Sequence, residues 1–567
     1  MGASRLFELY YFVKYLPLRL WRHRAPMEHR GFVGVQVDGL AHDDLVYAVE
    51  QGYLPQVARW LATREFKLAS YPAGLPSCTS YAQVGIFYGR NENIPAFRWY
   101  ERGDRRVVNC NRPHSVDYLR ARLGPERTGI LRGGSSYANL VDGDADRSVL
   151  TANSSVPRSF FEELGGLRFF LLVLFHPLRV VMTVLESVRE IVLELYDRYL
   201  SRGGRRHTVG EGFFPVIRAL SNVVLRELQT IAVMADVYAG TPYIFTTFAS
   251  YDELAHHYGP RSRPALKNLS YLFGRIAEIA KIARRLPGRH YDLIVLSDHG
   301  QTEGRPFLRL FGATLGEAVH RHLEDRRVHV ETGGMESPSM QIRDLYARHM
   351  RRRAERRGRV VGGLLRSLAR LLGRVADVES YLPEKYYVDE ENDLVVTYSG
   401  CLALVYFSRW PQRLDDEAVR REFPDLLDFL VQHPGVGLVA TKGHGGGLVL
   451  RSGRGVARLS GGKLSVVEGE DPLAPYDAGP IAMRALEQMG SWPSTGDLVL
   501  FWRYEAGQIV CFDDQVASHG CLGGPQFWPF VMVPNDPRFD QLAITDPSDF
   551  YGQLFAPYHH DTAGARA

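Results

Sequence analysis

Aspartate and histidine residues in this sequence stand at spacings that suit metal binding. Asp252 and His256 are four residues apart, which on a helix puts both side chains on one face, ready to share a metal ion. Asp298 and His299 close the apolar run YDLIVLS, where two polar side chains are costly unless they are paired or bind something. These two pairs are therefore candidate metal ligands.

Two further residues complete the candidate set. Asp38 follows the apolar run GFVGVQV, and His519 lies in the glycine-rich sequence SHGCLGG. Three aspartates and three histidines supply oxygen and nitrogen ligands for two divalent metal ions, for which zinc is suited and manganese is an alternative. His257 points away from the face shared with Asp252, so we expect it to support the site or the fold rather than bind metal.

The segments that end in these acids predict the fold. Residues 31–37 lead to Asp38, PYIFTTFASYD ends at Asp252, and YDLIVLSDHG contains Asp298. Helical stretches, notably residues 268–286, lie between them. Strands that alternate with helices predict an α/β fold with a largely parallel central sheet, helices on both faces and ligands at the carboxyl ends of the strands.

The character of the sequence changes along the chain, which suggests separate units. Between residues 311 and 484, Arg-rich helices give way to short strands and glycine-rich turns. DLVLFWRY, from Asp497, is expected to be a strand of the core. The predicted units are a basic, aromatic N-terminal segment (1–30), a catalytic α/β core (31–310 and 485–567) with a helical insertion (about 155–235), and an inserted α+β cap-like unit (311–484).

The ordered motifs resemble the alkaline phosphatase superfamily, most closely its type I phosphodiesterase and nucleotide pyrophosphatase branch. The resemblance covers the core, about residues 30–310 and 485–560, and not the insertions. It rests on five motifs in the expected order: Asp38-Gly39, PSCTSYAQVGIFYG from Pro76, Asp252-x-x-x-His256, Asp298-His299-Gly300 and a late His519.

The resemblance implies a two-metal hydrolase of phosphate esters, with phosphodiester or pyrophosphate bonds preferred. The nucleophile of the family is the second hydroxyl residue of a Pro-Thr-x-Thr stretch, followed ten residues later by glycine. Pro76-Ser77-Cys78-Thr79 and Gly89 match this spacing, so Thr79 is the expected nucleophile, through a phosphorylated intermediate, and Ser77 is the alternative. The implied ligands are Asp252, His256 and His519 for one metal, and Asp38, Asp298, His299 and Thr79 for the other.

Three details bear on that assignment. His444, in KGHGGG, is the alternative to His519 as third histidine, but it lies in the inserted unit. Sulfatases of the same superfamily use a modified cysteine followed by proline and arginine, and Ser80 and Ala82 stand at those positions after Cys78. The asparagine with which the family holds the phosphoryl group has no clear match in NIPAFRWYER.

Composition narrows the class of protein. The chain has 567 residues, of which 45% are hydrophobic and 23% charged, as in globular proteins. A net charge of +4 argues against a dedicated nucleic-acid binder. Five cysteines without a CxxC pair favour a reducing compartment, so we expect a cytoplasmic protein.

Three segments suggest peripheral contact with a membrane surface. The basic residues in two of them favour a surface of anionic lipid. Residues 1–30 are aromatic and basic, and Glu8 and Lys14 interrupt any signal-peptide core. The apolar segment 169–195 is interrupted too early to span a bilayer, and residues 364–375 form an Arg-lined amphipathic pattern. Packing of each helix on the protein itself is the alternative.

Three functional hypotheses follow. The first is the metal-dependent phosphate ester hydrolase described above. The second is a phosphoryl or phospho-alcohol transferase that acts on lipid head groups, suggested by the membrane-surface segments. The third is a non-catalytic membrane-surface scaffold of the same fold, against which the complete set of candidate ligands argues.

Overall fold

The computed structural model describes residues 29–559, except for 111, 125, 127, 152–176, 200–218, 286–288, 325, 332–386, 477–478 and 505–506. The helices are α1 (His42–Glu50), α2 (Pro55–Ala62), α3 (Thr79–Tyr88), α4 (Pro113–Arg122), α5 (Pro177–Tyr199), α6 (Arg226–Ala239), α7 (Ser250–Tyr258), α8 (Arg263–Arg285), α9 (Phe307–Phe311), α10 (Leu315–His322), α11 (Asp416–Glu422), α12 (Pro424–Gln432) and α13 (Pro480–Ser491).

The strands, in chain order, are β1 (Gly31–Val37), β2 (Phe66–Ser70), β3 (Arg98–Glu101), β4 (Arg106–Asn109), β5 (Ser135–Tyr137), β6 (Arg147–Val149), β7 (Tyr243–Phe248), β8 (Tyr291–Leu296), β9 (Thr302–Pro306), β10 (Val328–Glu331), β11 (Leu394–Ser399), β12 (Leu402–Phe407), β13 (Val436–Lys442), β14 (Leu448–Ser452), β15 (Gly455–Ser460), β16 (Lys463–Gly469), β17 (Leu498–Trp502), β18 (Ile509–Cys511), β19 (Ala517–Ser518) and β20 (Phe530–Pro534).

A seven-stranded sheet forms the core, in the order β2-β20-β8-β1-β7-β5-β6. The strands β8, β1, β7, β5 and β6 are parallel, whereas β20 is antiparallel to both of its neighbours, β8 and β2. Every residue of β1 is buried, which accounts for its continuous apolar sequence, since a parallel sheet is covered on both faces. The predicted α/β fold with a largely parallel central sheet is confirmed.

Helices pack on both faces of this sheet. Val33 and Val35 of β1 belong to a buried cluster that includes residues of α2, α6, α7 and α8. Phe32 points to the other face, where it joins a cluster that includes residues of α3. Within that cluster, the rings of Phe87 and Phe245 lie edge to face with their centroids 4.8 Å apart. The sheet is therefore supported on both faces where its strands deliver the site residues.

A second sheet of eight strands has the order β10-β11-β12-β17-β13-β14-β15-β16 and is antiparallel except for the β10–β11 pair. Its strand β17 corrects one prediction, because DLVLFWRY was expected in the core sheet. Instead β17 lies between β12 and β13, and all five of its residues are buried. A buried apolar strand has the same hydropathy in either sheet, so its sequence does not specify its neighbours. The division of the chain into domains stays a prediction.

Two of the three predicted membrane-surface segments fall largely or wholly outside the described residues. These are the N-terminal residues 1–28 and the Arg-lined segment 364–375, and the apolar run 169–175 lies outside them as well. The rest of the third segment belongs to α5. Among the described residues, no helix combines the length and hydropathy needed to cross a membrane.

Candidate active site

Three adjacent parallel strands bring the predicted acids together. Asp38 directly follows β1, Asp252 lies in the first turn of the helix after β7, and Asp298 follows β8. Since β8, β1 and β7 are neighbours, their carboxyl ends meet at one edge of the sheet, where α/β folds place their ligands. All three aspartates are buried.

The first group at this edge contains the predicted nucleophile. Ligand atoms of Asp38, Asp298 and His299 all lie within 4.8 Å of one another. The Oγ1 atom of Thr79 is 3.4 Å from Oδ1 of Asp38, to which it donates, and 3.2 Å from Nε2 of His299. The four residues predicted for one metal are thus adjacent.

The second group shares a residue with the first. Ligand atoms of Asp252, His299 and His519 also lie within 4.8 Å of one another. His256 stands beside this group, with its Nε2 atom 3.1 Å from Oδ2 of Asp252. The rings of His299 and His519 are stacked with centroids 3.7 Å apart. All seven predicted site residues therefore lie together. The prediction assigned His299 only to the metal bound by Asp38 and Asp298, whereas in the structure its ring also lies among the ligand atoms of Asp252 and His519.

Backbone carbonyls fix the orientation of the three histidines. Nδ1 of His256 is 2.8 Å from the Ala517 carbonyl oxygen, and Nδ1 of His519 is 3.0 Å from that of Ser77. His299 makes the corresponding contact with Gly300 at 3.0 Å. A carbonyl only accepts, so each Nδ1 donates, and in a neutral ring Nε2 then carries the lone pair that binds metals.

The donor set fits divalent metal ions. With Nδ1 of His256 donating, Nε2 in the neutral ring and Oδ2 of Asp252 are two acceptors 3.1 Å apart, an arrangement that requires a proton or a metal between them. Oδ2 of Asp298 is buried and has no hydrogen-bond partner among the described residues. A mixed nitrogen and oxygen set of this kind suits zinc.

Burial and mutual repulsion dominate the electrostatics of the cluster. Burial, followed by the charges of Asp298 and Asp252, holds the pKa of Asp38 well above its usual range. Burial, followed by the neighbouring His299, holds the pKa of His519 well below its usual range and keeps the ring neutral. Burial alone would raise the pKa of Asp252, but the combined effect of His256, His519 and His299 lowers it. Bound cations would relieve the repulsion among the carboxylates.

Thr79 occupies the first position of α3, a helix whose residues 80–88 are all buried. The first turn of a helix presents N–H groups that lack partners within the helix, together with the positive end of the helix dipole. This position suits the oxygens of a phosphoryl group as well as a developing alkoxide. Gly89 ends α3 in the left-handed conformation, with φ +67°, which explains the glycine found ten residues after the hydroxyl.

The alternative nucleophile, Ser77, has a different task. Its hydroxyl donates to the carbonyl of Cys521 at 2.9 Å and accepts from the backbone N–H of Gly520 at 3.1 Å. Its own carbonyl contacts His519. Ser77 thus anchors the loop that carries His519, whereas the hydroxyl of Thr79 faces the ligand groups.

Gly39 is required by close approach between two parts of the site. Its φ is +71°, and a Cβ atom there would lie 2.2 Å from Oδ1 of Asp252. Any side chain would displace Asp252, because that distance is far below van der Waals contact. The glycine of the Asp38-Gly39 motif therefore lets the segments that follow β1 and β7 pack together.

The two other histidines considered lie apart from the ligand groups. The side chain of His444 is 70% exposed and pairs with Asp415 at 2.8 Å. Nδ1 of His257 contacts the carbonyl of Glu253, one turn earlier in α7, at 2.8 Å. Neither belongs to the two groups of ligand atoms found among the described residues.

Two supporting residues escaped the sequence analysis. The Gln301 side chain donates to the backbone carbonyl of Asp252 at 3.0 Å and to its carboxylate. The Ser297 hydroxyl donates to the carbonyl of His299 at 2.6 Å and accepts from the N–H of Leu40 at 3.0 Å. Ser297 directly precedes the Asp298-His299-Gly300 motif and Gln301 directly follows it. Their position beside the motif was the one feature of the sequence from which their roles could have been predicted.

A known sequence family matches the part of the chain that carries four of the site residues. The sequence model described as type I phosphodiesterase / nucleotide pyrophosphatase matches residues 198–405. The chain resembles the type I phosphodiesterases. The match contains Asp252, His256, Asp298 and His299, whereas Asp38, Thr79 and His519 lie outside it. The resemblance expected from the motifs is thus confirmed. No curated protein sequence matches the chain.

Solved structures that match this chain over most of their length include a nucleotide pyrophosphatase and other hydrolases. Murine ectonucleotide pyrophosphatase / phosphodiesterase 5 is 11% identical, with 93% of this chain and 95% of that chain covered and a TM-score of 0.43. Phosphonoacetate hydrolase from Sinorhizobium meliloti, in complex with phosphonoformate, is 15% identical, with coverage of 94% and 97% and a TM-score of 0.41. Alkaline phosphatase PafA is 12% identical, with coverage of 90% and 92% and a TM-score of 0.45.

Proposed function

We propose that the protein is a metal-dependent hydrolase of phosphate esters that uses Thr79 as its nucleophile. The observation that carries the proposal is the position of the Thr79 hydroxyl, which contacts Asp38 and His299 at the start of a buried helix. The family resemblance favours phosphodiester or pyrophosphate bonds as substrates.

The ligand groups would hold two divalent metal ions, zinc or alternatively manganese. The proposed ligands of one ion are Asp252, His256 and His519, and those of the other are Asp38, Asp298, His299 and Thr79. When bound, the ions lower the pKa of a coordinated hydroxyl and offset negative charge on phosphoryl oxygens. Backbone carbonyls hold Nδ1 of each of the three histidines, which leaves Nε2 to face the ligand groups.

The chain's own residues account for the chemical steps. Oγ1 of Thr79 loses its proton to solvent water and forms a bond to phosphorus, while the bond from phosphorus to the leaving oxygen breaks and that oxygen takes up a proton from solvent. Asp38 already accepts the hydrogen bond of that hydroxyl and so orients its proton. The backbone N–H groups at the start of α3 bind a phosphoryl oxygen. Water then attacks phosphorus, which releases the phosphate group and restores the Thr79 hydroxyl.

A panel of chromogenic phosphomonoester, phosphodiester and sulfate esters tests this proposal, with zinc or manganese added to purified protein. We expect turnover of phosphate esters, loss of turnover with a chelator, and about two metal ions per chain. A metal-free protein without turnover of any ester would support the scaffold hypothesis instead. Transfer of the phosphoryl or phospho-alcohol group to an added lipid alcohol, in place of water, would support the transferase.

We also propose that α5 brings the enzyme to a membrane surface. Among the α5 residues whose side chains the structure describes, every exposed one is apolar. These residues are Val180, Val181, Met182, Val184, Leu185, Val188, Val192 and Leu195. A helix packed on a soluble domain normally shows the opposite pattern, with its charges turned to water. The face therefore needs an apolar partner.

The inward face of α5 is held by ion pairs. Nε of Arg179 is 2.6 Å from Oε2 of Glu227, and its Nη1 is 3.1 Å from Oε1 of Glu278. Glu186 accepts from Arg226 at 2.6 Å. These largely buried pairs fix the rotation of α5, so its apolar face cannot turn inward without breaking them.

This face suits a helix that lies on a lipid surface better than a helix that spans the bilayer. The exposed apolar residues run from Val180 to Leu195, which is about 22 Å of helix at about 1.5 Å per residue. Aliphatic side chains along one face of a helix suit the boundary between head groups and acyl chains. The basic sequence RRRAERRGR from residue 351 would add attraction to anionic lipid.

Co-sedimentation with anionic and neutral vesicles, at low and high salt, tests membrane contact. We expect the wild type to pellet with anionic vesicles and the double variant Val184→Asp, Val188→Asp to stay in solution. The control places the same substitutions at Val466 and Val467, which are exposed on β16. Failure of the wild type to pellet would contradict the proposal, and a dimer lost in the Val184/Val188 variant would identify a second copy as the partner.

A further inference from the structure

Buried polar side chains connect the helix of the proposed nucleophile to the central sheet. They are Gln83 of α3, Gln36 of β1, Thr247 of β7 and Asn139, which follows β5, and all four are buried. None of them belongs to the two groups of ligand atoms found among the described residues. A buried amide costs free energy unless it is hydrogen-bonded, and an apolar side chain would fill the same space without that cost. The network therefore indicates that the position of α3 matters.

Hydrogen bonds use every donor and acceptor of the Gln83 amide. Its Nε2 atom donates to Oε1 of Gln36 at 3.1 Å and to Oγ1 of Thr247 at 3.0 Å. Its Oε1 atom accepts from the backbone N–H of Leu140 at 2.7 Å. Thr247 in turn donates to Oδ1 of Asn139 at 2.6 Å. One side chain thus ties α3 to β1, to β7 and to the segment after β5, and these three strands are neighbours in the sheet.

The contacts of Gln83 are in step with those of the nucleophile. Thr79 and Gln83 are four residues apart on one face of α3, which is about 6 Å along the helix. Their partners, Asp38 and Gln36, are two residues apart at the end of β1, which is about 6.6 Å along the strand. The position of α3 along β1 that pairs Gln83 with Gln36 is therefore the one that brings the hydroxyl of Thr79 to Asp38.

The following turn of α3 does not fix this position, because its contact with the sheet is apolar. The ring of Phe87 lies edge to face with that of Phe245 on β7, which pairs with Gly34 of β1. A Cβ atom at Gly34 would lie 2.3 Å from the ring of Phe245, so that ring fills the place of a side chain from β1. Apolar contacts are non-directional and tolerate a small slide of the helix. A fully satisfied network of buried hydrogen bonds specifies one arrangement.

We propose that Gln83 is a positioning residue for the nucleophile, because its amide fixes α3 along β1 and thereby sets the contact of Thr79 with Asp38. The inference rests on the proposed function, in which Thr79 attacks phosphorus. Oγ1 of Thr79 lies 3.4 Å from Oδ1 of Asp38 and 3.2 Å from Nε2 of His299, and a slide of the helix would disturb both contacts. A misplacement of about 1 Å can lower the rate of a reaction by about 100-fold.

Gln83→Met tests the proposal, because methionine has a similar length and volume but no amide. Gln229→Met is the matched control. Gln229 is a buried residue of α6, on the opposite face of the sheet, and donates to Oγ1 of Thr246 at 3.1 Å and to the carbonyl of Thr247 at 2.8 Å. Each variant loses the two hydrogen bonds that a buried amide nitrogen donates to its partners. Only Gln83 lies on the helix of the nucleophile, whereas α6 carries none of the seven site residues.

The measurement is a single turnover of a chromogenic phosphate ester with the metal-loaded protein in excess, which separates the chemical step from product release. In Gln83→Met the rate at saturation should fall by about 10–100-fold. The protein concentration that gives half the maximal rate and the metal content should not change, because the ligands stay in place. Gln229→Met should keep the wild-type rate. An unchanged rate in folded Gln83→Met, or an equal fall in both variants, overturns the proposal.

A second pair of variants serves if Gln83→Met does not fold. Thr247→Val removes the hydroxyl that accepts from Gln83, and Thr246→Val removes the one that accepts from Gln229 on the other face. Only Thr247→Val should slow the single turnover, by about threefold, which corresponds to the loss of one hydrogen bond. Equal rates in these two variants overturn the proposal.

Hydrogen exchange of the α3 amides distinguishes failure of this inference from failure of the proposed function. These amides should exchange faster in Gln83→Met, or in Thr247→Val, than in the wild type and the matched control, since the helix has lost its anchor. If the wild type hydrolyses no ester but this difference is present, the proposed function fails and the anchoring of α3 by Gln83 stands. Equal exchange in the variant and its control overturns the inference, whatever the outcome of the ester assays.

Discussion

Replacement of His519 is the most direct test of the proposed metal site, and replacement of His444 is its control. We expect His519→Ala to lose one metal ion and most turnover, because its buried ring lies within 4.8 Å of ligand atoms from Asp252 and His299. His444→Ala should keep both ions and full turnover, since that ring is exposed and contacts Asp415.

The size of the effect follows from how the ring is held. The hydrogen bond from Nδ1 of His519 to Ser77, at 3.0 Å, fixes which nitrogen faces the acids. Loss of such supporting contacts typically costs about 10–100-fold in metal affinity. Removal of the ligand itself should therefore cost about 100-fold or more, which is about 2.7 kcal/mol at about 1.36 kcal/mol per tenfold change.

The assay compares metal per chain by elemental analysis after gel filtration, and metal affinity by titration against a chelator. Circular dichroism and thermal unfolding of the metal-loaded variants check that both remain folded. Two tightly bound ions in His519→Ala, together with loss of one ion in His444→Ala, would refute the reasoning and exchange the roles of the two residues.

Three other predictions concern the nucleophile, the glycine beside Asp38 and an acid outside the site. Thr79→Ala should abolish turnover and retain the metal ions, whereas Ser77→Ala should keep measurable turnover; kinetics with equal metal content decide between them. Gly39→Ala should lower metal affinity in the chelator titration, because its Cβ would lie 2.2 Å from Oδ1 of Asp252. Burial raises the pKa of Asp44 to about 6, so the folded state binds its proton more tightly than the unfolded chain does. Asp44 should therefore reduce stability as pH rises from about 4 to 6, and Asp44→Asn should flatten that part of the melting-temperature profile.

The sequence predicted which residues come together better than it predicted what surrounds them. Asp38 and Asp298 end apolar strands, a local pattern that indicates both the strand and its functional end. Only the family pattern predicted that His519 and Thr79 belong to one site. The loop that carries His519 contacts Ser77, which lies 442 positions earlier in the chain. No local periodicity encodes a contact of that separation.

Other features depend on partners that the sequence does not reveal. The apolar run of β17 would suit either sheet, and only its pairing with β12 and β13 places it. The amphipathic pattern of α5 was visible, but which face turns outward depends on its ion pairs with Glu227, Glu278 and Arg226. Gln301 carries no sequence signal of its role beyond its place next to a motif.

The late position of His519 has a consequence for the synthesis of the protein. Asp38, Thr79, Asp252 and the Asp298-His299 pair all leave the ribosome before most of the second sheet, and His519 comes about 220 residues after His299. At about 5–20 residues per second, those earlier ligands wait roughly 10–40 s for the last one. The proposed metal sites can therefore be completed only late in biosynthesis, and a chain that stops within the second sheet lacks His519.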